Sequence, residues 1–220
     1  MARTPPHAAI FDTDGLLLDT EGLWTRAQEA LFARWDHTFT SEHKLAFVGV
    51  SGPAAARRYE ELLEAPGSGE QILDELHELA MREAAAGGEP MPGARELLAA
   101  LAEAGVRLGL VSNSPLEWVE GVLGPSGLAD RFAVILTPDD GLAHKPEPAL
   151  YLEACRRLRA EPARSVALED TATGVAAAKA AGLVTIGVPS VPGVDLAGAD
   201  LVAPSLTDSA VWWALGLDRR

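Results

Sequence analysis

Short apolar runs recur along this 220-residue chain, and segments of helical character separate them. HAAIF (7–11), VRLGLV (106–111), FAVIL (132–136), SVALE (165–169) and LVTIGV (183–188) are near-continuously apolar. That is the pattern of parallel strands covered on both faces. ADLVA (199–203) reads as a sixth, shorter strand. Between them lie ARELLAALAEAG, PLEWVEGVLG, PALYLEACRRLR and TGVAAAKAAG, of which the first and last run into Gly105 and Gly182, the expected helix stops. Ser114, Pro115 and Glu117 supply an N-cap, an N1 proline and an N3 glutamate for the second. Strand and helix in alternation predict an open parallel α/β sheet.

One region breaks the alternation. From about residue 20 to residue 86 no buried strand is apparent, whereas Leu23, Ala27, Ala30, Leu31 and Trp35 recur at helical spacing. Residues 53–63 and 70–86 also read as helices, and AAAGGEPMPG (84–93) suits a return linker or hinge. The expected organisation is a core domain of residues 1–18 and 90–220 interrupted by a helical domain of residues 19–89.

Composition narrows the partners. A formal charge of −14, with no basic run to offset it, repels nucleic acid. No apolar stretch reaches spanning length without a charge, and MARTPPHAAIFD lacks the long apolar segment of a secretory signal. A cytoplasmic monomer with no membrane or nucleic-acid partner is expected, acting on a small molecule. Cys155 stands alone, so no internal disulfide or thiolate cluster forms, and within LYLEACRRL it reads as a buried small apolar residue.

Ligands of open α/β sheets bind at the carboxyl ends of the strands. Asp12-Thr13-Asp14-Gly15 follows the first predicted strand and Ser112-Asn113-Ser114 the second. His144-Lys145-Pro146 comes some residues after the third, and Glu169-Asp170-Thr171 ends the fourth. Singly, each has a plain structural reading: a turn with carboxylates on local backbone N–H groups, a helix cap, a surface lysine, a second cap. Jointly, four strand ends carrying carboxylates, hydroxyls and a lysine can assemble one site on one rim.

FDTDGLLLDTE, VSNS, HKPEP and LEDTATGVAAAKAAG resemble the four motifs of the haloacid dehalogenase superfamily, in its phosphatase and phosphomutase branch. The resemblance covers nearly the whole chain. DTEGLW, LVSNSPLEWVEGVL and KPEPALYLEA look closest to bacterial sugar-phosphate phosphatases of the 2-deoxyglucose-6-phosphatase and hexitol-phosphatase kind. It implies a Rossmann-like core with an inserted helical cap, and Mg²⁺-dependent hydrolysis of a small phosphate monoester, a sugar or polyol phosphate, through an aspartyl-phosphate. Asp12 is then the nucleophile, and Asp14 the acid that protonates the leaving group and the base that activates water. Mg²⁺ is held by Asp12, the Asp14 carbonyl and Asp170, with Glu169 ordering a bound water. Lys145 neutralises charge on the phosphate and on Asp12, while Ser112 and the Asn113 backbone donate to phosphate oxygens. Trp24, Val50, Ser51 and Gly52 fall where the inserted helices meet the leaving group. Thr13 departs from the larger apolar residue usual at its place, and strand alternation should turn it away from the ligand.

Three alternatives use parts of the same pattern. A β-phosphoglucomutase-like enzyme returns the phosphate to the sugar, for which it grips a second phosphate with a cationic side chain of the cap. Here Gly52 stands where the resembling mutases carry that arginine, and Arg57 and Arg58 are the nearby substitutes, expected to face solvent. A dehalogenase needs neither Asp14 nor the Mg²⁺ set. A non-catalytic phosphate- or Mg²⁺-binding module has no use for a second carboxylate as acid and base.

Overall fold

The computed structural model describes residues 4–47, 50, 52–85, 87–191 and 193–218. The described chain runs β1 (Ala8–Phe11), β2 (Leu18–Asp19), α1 (Glu21–Arg34), α2 (Ser41–Phe47), α3 (Gly52–Leu62), α4 (Gly69–Ala84), β3 (Glu89–Pro90), α5 (Ala94–Glu103), β4 (Arg107–Val111), α6 (Leu116–Ser126), β5 (Val134–Leu136), α7 (Ala149–Arg157), β6 (Val166–Glu169), α8 (Ala172–Ala180), β7 (Val184–Gly187), β8 (Leu201–Val202) and α9 (Ser209–Ala214). β1, β4, β5, β6, β7 and β8 form one six-stranded sheet in the order β5-β4-β1-β6-β7-β8, and every neighbouring pair in it is parallel. The five apolar runs and ADLVA thus become the six expected strands, each trimmed at one or both ends.

β1 lies at the centre because both of its faces are apolar. Ala9 and Phe11 join the larger buried cluster with Leu97, Leu101 and Trp118 of α5 and α6. Ala8 and Ile10 join the second cluster with Tyr151 and Ala154 of α7 and Ala177 and Ala178 of α8. The side-chain period of two therefore feeds one layer of helices on each face. The chain moves from β1 out to β4 and β5 on one side, then crosses to β6, β7 and β8 on the other. The carboxyl ends around β1 form the crevice where such sheets place ligands.

Among the described residues the helical insertion is present as four helices. α1 and α4 pack through Leu23, Ala27, Leu31 and Phe32 against Ile72, Leu76, Leu79 and Ala80, all in the larger buried cluster. The sequence pattern did not reveal α2, whose seven residues are too few to show a period. Nor did it reveal β2 and β3, which pair antiparallel as Leu18 with Pro90 and Asp19 with Glu89. Part of the expected return linker is therefore a strand that closes the insertion at its base.

The start of α6 differs from expectation. Pro115 is the N-cap, without a side-chain cap bond. The Leu116 N–H donates instead to the Asp139 carboxylate at 2.8 Å, and Ser114 turns into the crevice. Cys155 is buried, as its setting in the sequence implied.

Candidate active site

Asp12 follows β1, with its backbone N–H donating to the Leu168 carbonyl of β6 at 3.1 Å. Its side chain lies beside Lys145, Glu169 and Asp170. The Lys145 ammonium donates to Asp12 Oδ1 and to Glu169 Oε1, each at 2.6 Å, and to the Val111 carbonyl at 3.1 Å. All three of its protons are used, within a side chain that is only 3% exposed. Tyr151 of α7 donates its hydroxyl to Glu169 Oε1 at 2.5 Å. Asp170 Oδ2 accepts from Ser190 at 2.6 Å.

The charges do not balance. Asp12, Glu169 and Asp170 are buried, and each offers an oxygen within 4.8 Å of the others. Against three carboxylates stands one buried ammonium. Burial, together with Glu169 and Asp14, pushes the Asp12 carboxyl up to about 7 although Lys145 pulls it down. Asp170 is also raised well above the usual carboxylate range, by burial first and then by Asp12 and Glu169. Burial pulls Lys145 down, but Asp12 and Glu169 together outweigh it and hold the ammonium well above its ordinary value. Such a cluster calls for a further cation, and hard carboxylate oxygens suit Mg²⁺.

Asp14 lies apart from this cluster and is half-buried. Four donors reach its carboxylate. Thr20 at 2.7 Å, Trp118 Nε1 at 2.9 Å and Trp24 Nε1 at 3.4 Å converge on Oδ1. Ser114 donates to Oδ2 at 2.8 Å. The rings of Trp24 and Trp118 pack with centroids 4.3 Å apart.

Glycine follows the two aspartates for a steric reason. Gly15 has φ +76°, and a Cβ there would come within 2.5 Å of Asp170 Oδ2. A side chain on Gly174 would overlap the Glu169 carboxylate. Thr171 caps α8 by accepting from the Gly174 N–H at 3.2 Å, which leaves the Glu169 and Asp170 side chains to the site.

These groups line a cavity of about 400 Å³ whose far wall belongs to α1, α2, α3 and α4. Asp12, Asp14, Ser112, Asn113, Lys145 and Asp170 line it, with Trp24, Val50 and Gly52 on the helical side. Glu169 sits beneath this surface, fully buried behind Lys145. Ser51 lies outside the described residues.

A family profile described as haloacid dehalogenase-like hydrolase matches residues 6–182. The chain belongs to that family.

Hexitol phosphatase B of Escherichia coli is 32% identical to this hydrolase over 199 residues, which cover 83% of each chain. N-acetylmuramic acid 6-phosphate phosphatase of Pseudomonas aeruginosa is 30% identical over 190 residues, 86% of this chain and 84% of the other. Among solved structures, CbbY from Rhodobacter sphaeroides in complex with phosphate matches with a TM-score of 0.79 at 32% identity, over 92% of this hydrolase and 96% of that chain.

Several site residues escaped the sequence reading. Ser190 follows β7, so the rule of inspecting every strand end would have found it. Trp118 and Tyr151 lie inside helices, where an aromatic residue looks like core. Asn113 has an additional part: its side chain accepts from the Lys145 N–H at 2.8 Å and donates to the Lys145 carbonyl at 3.1 Å. This amide clamp fixes the loop that delivers the lysine. Thr13 is fully buried and is not among the residues that line the cavity, and its hydroxyl finds no partner. Arg57 and Arg58 are exposed and lie off the cavity wall.

Proposed function

We propose that this hydrolase cleaves small phosphate monoesters, of the sugar or polyol phosphate class, through a covalent aspartyl-phosphate on Asp12. The observation that carries the proposal is the buried Asp12–Lys145–Glu169–Asp170 cluster at the strand ends, with a second carboxylate, Asp14, facing the same cavity. Hexitol phosphatase B and the muramic acid phosphatase, both named for phosphorylated sugars or polyols, support the substrate class.

Asp12 attacks phosphorus, and the bond from phosphorus to the ester oxygen breaks. Asp14 delivers its proton to the departing alkoxide. Asp14 then takes a proton from water, which attacks the phosphorus and releases Asp12 as the carboxylate. The donor arrangement favours one atom for that proton. Indole N–H groups can only donate, and both point at Oδ1. Oδ2 accepts from the Ser114 hydroxyl, which can turn and accept in its stead. A proton delivered by Asp14 would then sit on Oδ2, away from the two indole donors. Lys145 holds Asp12 in place, Glu169 and Tyr151 hold Lys145, and Ser112 with the Asn113 backbone is left to receive phosphate oxygens. Asp12, Asp170 and the Asp14 carbonyl would hold Mg²⁺, which when bound supplies the positive charge that lets a dianionic phosphate approach these carboxylates.

Trp118 positions Asp14 in this scheme. Trp118→Phe keeps the ring and removes the donor. A charge-assisted hydrogen bond contributes about 1.5–3 kcal/mol. The expected kcat loss is roughly 10- to 100-fold on alkyl phosphates and much smaller on p-nitrophenyl phosphate, whose leaving group needs little protonation. Equal losses on both esters would reduce Trp118 to packing.

One observation favours a mutase as the second reading: Lys44 of α2 lines the cavity, a cation of the inserted helices that could meet a second phosphate. It is already paired with Glu21 of α1 at 2.6 Å. Supplying β-glucose 1-phosphate with a trace of the 1,6-bisphosphate separates the readings. A phosphatase releases inorganic phosphate and accumulates little glucose 6-phosphate. Rapid isomerisation without phosphate release would establish the mutase. A panel of hexitol and sugar phosphates then ranks the substrates.

A further inference from the structure

The cavity above Asp14 is apolar over much of its wall. Trp24, Phe47, Tyr59, Leu73 and Leu76 contribute to it. Its polar groups largely have partners already. Gln28 donates its amide to the Tyr59 hydroxyl at 2.9 Å, and Thr25 donates to the Glu21 carbonyl at 2.8 Å. His77 meets the Glu117 carboxylate at 3.1 Å. Lys44 is the only lysine or arginine among the described lining residues apart from Lys145, and Glu21 beside it cancels its charge. Val48, Gly49 and Ser51, which lie outside the described residues, have uncharged side chains.

We propose that the cavity selects phosphate monoesters whose leaving group is uncharged and carries an apolar face, and that Glu21 acts as a filter against a second phosphate. The inference rests on the phosphatase reading above and gives that site its selectivity. A ligand hydroxyl buried against this wall without a partner is penalised, so a sugar or polyol should turn its C–H face to this wall and its hydroxyls away from it. A second phosphate would meet Lys44 and Glu21 together. The repulsion from the carboxylate offsets the attraction to the ammonium, in a protein whose formal charge is already −14.

Binding in the Asp12→Asn background, with Mg²⁺ present, tests this without turnover. The probes are phenyl phosphate, 2-deoxyglucose 6-phosphate and fructose 1,6-bisphosphate, read by calorimetry. Both monophosphates should bind at least about tenfold more tightly than the bisphosphate. Adding Glu21→Gln frees Lys44, and bisphosphate affinity should rise about tenfold while the monophosphates change little. Adding Lys44→Met to that variant should erase the gain. A bisphosphate that binds as tightly as the monophosphates before Glu21 is changed, or a Glu21→Gln variant with an unchanged ratio, overturns the filter. Turnover of the unaltered protein on the same esters is a separate measurement. No phosphate release with the binding order intact would overturn the phosphatase reading and support the selectivity inferred here.

Discussion

Asp12→Asn should leave a folded protein that has lost at least about 10³-fold of its phosphatase rate, as expected when a member of a covalent catalytic set is removed. The amide has nearly the same shape as the carboxylate but cannot serve as the nucleophile. Folding should survive because Lys145 keeps two acceptors, Glu169 Oε1 at 2.6 Å and the Val111 carbonyl at 3.1 Å. The substitution also relieves the excess of buried negative charge. Circular dichroism and thermal melting should resemble the unaltered protein, while phosphate release falls near background. Retention of more than a few per cent of the rate would place the nucleophile elsewhere.

Removing divalent metal should be as severe. Exhaustive chelation should abolish turnover and Mg²⁺ should restore it. Ca²⁺ should bind but support little turnover, because its larger and looser shell suits in-line attack poorly. Full activity after complete metal removal would exclude the metal-dependent scheme. The same cluster makes stability report on the metal. Burial raises Asp12 to about 7 in the folded state, above the ordinary value near 3.9 expected of the unfolded chain. A group raised on folding contributes stability that is fully present below the unfolded value and is lost as pH rises through the folded one. The metal-free protein should therefore melt at lower temperature at pH 8 than at pH 6, by roughly 2–4 °C for each kcal/mol lost. Mg²⁺ should remove that difference, and Asp12→Asn should reduce it without metal, leaving the share that the buried Asp170 carries. A melting temperature independent of pH in the metal-free protein would show that the cluster carries no excess charge.

Strand ends made much of this site readable in advance. Asp12, Ser112, Lys145 and Asp170 stand at or after short apolar runs of the kind that covered parallel strands show, and parallel order brings the carboxyl ends of those strands to one rim. Glu169 was legible as a member of the group but not in its bonding, since its contacts to Lys145 and Tyr151 depend on how α7 packs. Trp118 is the harder case. Its apolar ring earns its burial in α6, and only the placement of its N–H against Asp14 separates it from ordinary core. Lys44 was hidden for a different reason: α2 is too short to show which face it presents. β2 and β3 are two residues each, with no period to detect. Local pattern thus reveals elements long enough to repeat and residues anchored to them, whereas contacts made across the fold by helix interiors are not written locally.

The pairing of Leu18 with Pro90 and of Asp19 with Glu89 has a consequence for how such a chain can change over generations. Where the chain leaves the strand ends and where it returns, it runs side by side. Everything between those two points is, topologically, one long loop whose ends are already joined. Each doubling of a flexible loop costs only about 0.6 kcal/mol in closure entropy. Residues there can be added, shortened or exchanged while Asp12, Lys145 and Asp170 keep their partners, provided Thr20 and Trp24, which donate to Asp14, are kept. The carboxylates and the lysine of the strand ends belong to segments that flank the loop, and the far wall of the cavity belongs to the loop itself. One can diversify while the other stays constant.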